Sequence, residues 1–137
     1  PNQSYNTGPE YNGFAADNQS WDASAGLFTI VSGPTSWTLK GLRAALSAAP
    51  GGSTSRTFTA VGNGSPLTNT VTISGAATAG QDNSHEDTIT AGTVLEIITT
   101  PTSNPASSAP IRWAFVQSFG SPGGGDAGAN LMLLGVG

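Results

Sequence analysis

A chain of 137 residues fits one domain and can bury a core of modest size. Charged residues make up 9% of it, against a usual fraction of about 25%. The net charge is −4, with only Lys40, Arg43, Arg56 and Arg112 positive, and there is no cysteine. Disulfides, thiolate catalysis and cysteine-based metal sites are excluded. Clustered basic charge for nucleic acid and a basic amphipathic face for a membrane surface are both missing from the sequence. The apolar run Leu131–Leu134 is too short to span a bilayer as a helix.

Glycine (19 residues) and proline (9) punctuate the chain densely, strong helix formers are few, and Thr, Val and Ile are plentiful. Residues 1–25 are polar, dotted with Tyr5, Tyr11, Phe14 and Trp21, and lack a period, which reads as an extended arm whose aromatics pack on a neighbour. Leu27–Ser32 is a first strand candidate, broken by Gly33-Pro34. In Trp37–Ala48, Trp37 and Leu39 alternate in one phase and Leu42, Ala44 and Leu46 in the other. A β-bulge at Lys40–Gly41 would bring both sets onto one core. A helix is the alternative for this stretch, and Gly41 disfavours it. Arg56–Val61 and Leu67–Ser74 flank Gly62-Asn63-Gly64 and predict a hairpin, with Phe58, Ala60, Val71 and Ile73 inward. Gly75–Glu86 reads as a polar connection, followed by strands at Asp87–Thr90 and Val94–Thr99. After a proline-punctuated loop, Ile111–Gln117 alternates cleanly, with Ile111, Trp113 and Phe115 inward. A glycine-rich linker, 119–129, leads to a last strand within 130–137.

About eight short strands with turns between them and no βα alternation imply an all-β fold, an antiparallel β-sandwich or jelly roll over residues 26–118 with the arm before it.

No organised catalytic constellation stands out, and the expectation is a protein that is not an enzyme and uses no cofactor. His85 is the only histidine, no Gly-x-Ser-x-Gly elbow exists, and no spacing places Glu86, Asp87 or Glu96 as a carboxylate pair across a cleft. Asp82, Glu86 and Asp87 could offer oxygens to a hard cation, but the spacing is not that of an EF-hand, and a solvated loop is the plainer reading. The tryptophans and tyrosines could form a sugar-stacking platform; packing is the plainer reading for Trp37 and Trp113, which sit in patterned strands.

The segments LKGLRAALSAAPGGSTSRTFTAVGNG, LTNTVTISGAATAGQD and ITAGTVLEIITTPTSNPASSAPIRWAF give an order of strands and turns that resembles a domain of tailed-phage and virus-like structural proteins. Thr93 stands where that pattern has an Asp in its last turn. The resemblance covers roughly residues 37–117, rests on turn chemistry, and implies a trimeric jelly roll of the tumour-necrosis-factor and complement-collagen type, used in decoration, fibre and appendage proteins. The expectation is a structural protein on a virion surface or otherwise extracellular. Its partners would be copies of itself, as a homotrimer or larger, with a capsid or tail protein or a cell-surface glycan as further candidates. The expected interface residues are Tyr5, Tyr11, Phe14 and Trp21 of the arm and Leu131, Met132, Leu133 and Leu134 of the tail, the latter suited to strand addition. The rivals are a carbohydrate-binding adhesin module and a filament repeat unit with a donated strand.

Overall fold

The computed structural model describes residues 8–15, 19–106 and 110–119, together with the backbone of 130–136. These residues form ten strands and no helix: β1 (Glu10–Gly13), β2 (Ile30–Val31), β3 (Trp37–Leu46), β4 (Ser55–Gly62), β5 (Ser65–Ser74), β6 (Ala79–Gln81), β7 (Glu86–Ile89), β8 (Val94–Thr102), β9 (Ile111–Phe119) and β10 (Asn130–Val136). Two antiparallel five-stranded sheets pack face to face. In the first, β1 and β2 both border β8, and the order continues through β4 to β5. In the second, β10 is followed by β9 and β3, and β6 and β7 both pair with β3.

Alternation explains the core. Phe58 and Ala60 of β4, Val71 and Ile73 of β5, Leu95 and Ile97 of β8 and Ile111, Trp113 and Phe115 of β9 are all buried, as the period of two requires. On β3 the phase slips where the sequence indicates. Lys40 faces Val116 and Arg43 faces Ala114, so Gly41 and Leu42 together oppose Phe115 alone. Gly41 takes φ +66°, the left-handed conformation that a glycine-initiated bulge needs. Trp37, Leu39, Leu42, Ala44 and Leu46 consequently all reach the core, and this segment is strand rather than helix.

The hairpin is present too, with Asn63 (φ 49°) and Gly64 (φ 76°) at its tip. It carries a bulge the sequence reading lacks: between the pairs Thr59–Thr70 and Val61–Pro66, Ala60 of β4 faces three residues of β5, Leu67 to Asn69.

The expected arm is corrected by what the structure shows of residues 8–15 and 19–25. Glu10–Gly13 adds to the sheet beside β8, and Tyr11 bridges to Asp22 through two backbone hydrogen bonds of 2.7 and 3.1 Å. Phe14 and Trp21 are buried in the chain's own core, not presented to a neighbour. Phe14 lies 4.2 Å from Phe115 between ring centroids, and Trp21 packs edge-on against Trp113 at 5.4 Å. The Trp113 indole N–H donates to the Phe14 carbonyl at 3.0 Å. Aperiodic sequence hid this, because the segment enters the core through two isolated rings rather than an alternating strand. Leu27–Ser32 shrinks to the two-residue β2, with Leu27 exposed. The polar connection contains β6, a strand of Ala, Gly and Gln.

Candidate functional site

β5 forms one edge of the first sheet, and β6 and β7 form the facing edge of the second. Two carboxylates lace these edges together. Asp87, on β7, accepts hydrogen bonds from the Thr68 N–H (2.9 Å), the Thr68 hydroxyl (2.8 Å), the Asn69 N–H (2.9 Å) and the Asn69 side-chain amide (2.8 Å). Asp82, just after β6, accepts from the Thr70 N–H at 3.0 Å and is closed off by its own loop, through the Ser84 N–H and hydroxyl, the His85 N–H and, at 2.7 Å, His85 Nδ1. The Asn69 amide also reaches across the sandwich to the Leu39 carbonyl at 3.2 Å, two residues before β3's bulge begins at Gly41. Backbone N–H groups released by the bulge and the sheet edge are thus satisfied by side-chain oxygens.

Burial by itself would raise the pKa of both aspartates. The hydrogen bonds outweigh it. Asp87, held by the Asn69 side chain and the backbone N–H groups of Thr68 and Asn69, lies below the ordinary carboxylate range. Asp82, held by the N–H groups of Thr70 and Ser84 and the side chains of His85 and Ser84, lies far below it.

This arrangement replaces both sequence readings of Asp82, Glu86 and Asp87. The three do not converge on a cation: Asp82 and Asp87 are buried with their oxygens occupied by donors, while Glu86 points outward and meets Lys40 at 3.5 Å. Among the described residues no cluster of three or more ligating side chains comes together. Nor is the loop simply solvated. The signal was available in the sequence, since Asp87 alternates with Ile89 and Asn69 with Val71 and Ile73, so all of them fall on inward phases. Arg56, in phase with Phe58 and Ala60, is likewise fully buried. Its pKa is lowered by burial, against the opposing charge of Glu10, and its guanidinium donates to the Ala106 carbonyl at 3.2 Å. Glu96, on the first sheet, is buried and accepts from the Gly26 N–H at 2.9 Å.

The acids being largely inside, the described surface has a different charge balance from the whole chain. Glu10, Asp82, Asp87 and Glu96 are buried. Lys40, Arg43 and Arg112 all lie on the outer face of the second sheet, where Lys40 faces Val116, Arg43 faces Ala114, and Arg112 faces Ala45 across the strands. An open groove of about 450 Å³ lies between Arg43 and Arg112, floored by Ala45, Ala79 and Ala114 and bordered by Gln81. A second depression of about 300 Å³, bordered by Lys40, Arg43, Asn83, His85 and Glu86, shares Arg43 and Ala114 with it.

Of the expected interface residues, Tyr11 is half-buried on β1 and Phe14 and Trp21 are internal. Tyr5 lies outside the described residues. Leu131, Met132, Leu133 and Leu134 occupy β10, where they stand opposite Gln117, Val116, Phe115 and Ala114 of the same chain. All three tryptophans are buried, which removes them from a sugar-stacking platform. No described helix is long and apolar enough to cross a membrane. No protein-family description, curated protein or solved structure matches the chain.

Proposed function

We propose that this chain is a structural surface module of the virion type, a β-sandwich that acts by self-assembly and attachment rather than by catalysis. Two antiparallel sheets packed face to face support the sandwich reading. Counting β1 with β2 and β6 with β7 as single interrupted strands reduces ten strands to eight, four in each sheet. In the orders β1/β2-β8-β4-β5 and β10-β9-β3-β6/β7 the chain crosses between the sheets at five of its seven connections, while β4–β5 and β9–β10 are hairpins within one sheet. The virion-surface placement rests on the turn-by-turn resemblance and on a weakly charged surface without cysteine.

One observation carries the assembly reading: β10 is an edge strand, paired along seven residues with β9 and with no other strand among the described residues. Ten residues, 120–129, separate it in sequence from β9. The same ladder forms equally well when β10 comes from another copy, because backbone pairing carries no record of which chain supplies the strand. Light scattering behind a sizing column tests this. The expected result is a trimer or larger species for the full chain, and loss of that species, with the sandwich still folded, when residues 130–137 are deleted. A full chain that stays monomeric at micromolar concentration overturns it.

A further inference from the structure

We infer that the outer face of the second sheet is a binding site for an acidic, carboxylate-bearing polysaccharide, with Arg43 and Arg112 as its anchors. The chain carries net charge −4, yet this face combines Lys40, Arg43 and Arg112 with the single acid Glu86, a balance of 3 − 1 = +2 among the described residues. Glu86 is engaged by Lys40. Neither arginine has an ion-pair partner among the described residues. Arg43 and Arg112 sit on neighbouring strands two positions out of register, so their Cα atoms are diagonal neighbours roughly 7–8 Å apart. A guanidinium presents a planar fork that matches a carboxylate in two parallel hydrogen bonds.

The groove between them selects the class of anion. Its alanine floor offers an apolar surface to the face of a pyranose ring, and the amides of Gln81 on its border and of Asn83 on the adjoining depression can both donate to and accept from hydroxyls. Carboxylates alternating with hydroxyls along an open, extended track describe a uronate polymer. Nucleic acid fits poorly, because three cations neutralise few phosphates and no tryptophan is exposed to stack a base. A second copy fits poorly too, since it would bring the same positive face or a described surface whose acids are mostly internal. The inference is independent of the assembly reading.

Calorimetric titration with polygalacturonate, at low and at physiological salt, tests it, with dextran and polyglutamate alongside. The expected result is binding to polygalacturonate that weakens with salt, exceeds that of polyglutamate, and has no counterpart with dextran. The paired variant Arg43→Gln and Arg112→Gln keeps a polar side chain without the charge and lowers the affinity roughly tenfold or more, while Thr72→Ala on the opposite face leaves it unchanged. Arg43→Ala with Arg112→Ala is the second pair, and thermal melting confirms that each variant is folded. Absence of binding, equal affinity in both arginine pairs and the parent, or polyglutamate bound as tightly as polygalacturonate overturns the inference. None of these outcomes bears on the mass of the protein in solution.

Discussion

Asp87 holds Asn69 by both its backbone N–H and its side-chain amide, at 2.9 and 2.8 Å, and so ties the edge of one sheet to the edge of the other. Asn69 is fully buried and its Oδ1 has no partner, so the pair stands in a dry corner where each missing hydrogen bond is felt in full. Replacing Asp87 by Ala strands the Thr68 and Asn69 N–H groups, and the expected loss is about 2–4 kcal/mol. Asp87→Asn keeps the shape and one acceptor oxygen and costs less. Urea unfolding followed by tryptophan fluorescence measures both; a midpoint unchanged in Asp87→Ala removes the corner as a source of stability.

The same carboxylates set a pH dependence. Asp82 and Asp87 both titrate lower in the folded chain than in the unfolded one. Their contribution is complete above the unfolded value of about 3.9 and is lost as pH falls below it toward the folded values. Between about pH 7 and pH 5 these two groups therefore leave stability flat, and below about pH 4 they make it fall. Unfolding free energies measured from pH 2 to 7 are expected to show that decline, and the double variant Asp82→Asn with Asp87→Asn is expected to be less stable at neutral pH and less sensitive to acid. A parallel decline in parent and variant counts against the assignment.

Close approach at this corner leaves no room on β6. A Cβ built on Gly80 would lie 2.8 Å from Val71 Cγ1, a branched core atom that cannot swing aside. Gly80→Ala is expected to cost about 1–3 kcal/mol. Adding Val71→Ala should return part of that loss, because the two sites share one contact, so the double variant departs from additivity. Thermal or urea midpoints of the four chains close the cycle. Simple additivity would mean that β6 relaxes away from β5.

How much of this was legible depended on whether a residue's role follows a period. The bulge at Gly41 could be read because two apolar phases meet at a glycine, and the hairpin because Asn63-Gly64 names its own turn. Asn69, Arg56 and Asp87 were legible in principle, since each sits on an inward phase, but polarity argued against burial and the partners lie on other strands. The extra β5 residues opposite Ala60 were not legible, because a bulge satisfied by aspartates 12 to 19 residues away leaves no local mark. Phe14 and Trp21 enter the core singly, from a segment without alternation, and composition alone could not separate an internal ring from an external one.

Trp113 ties that N-terminal segment to the sandwich. Its indole N–H reaches the Phe14 carbonyl across 99 residues of sequence, and its ring packs on Trp21. Trp113→Phe retains an aromatic of smaller volume but leaves a buried carbonyl without its donor, at an expected cost of about 1–3 kcal/mol. The damage should be local first: β1 is held by four residues of β8 and by the single Tyr11–Asp22 bridge, so it is readily released when Phe14 and Trp21 loosen. Native-state hydrogen exchange is expected to accelerate at Glu10–Gly13 well before β3, β4 or β9 respond. Uniform acceleration across both sheets would instead make Trp113 a support for the whole core, with the N-terminal segment no weaker than the rest.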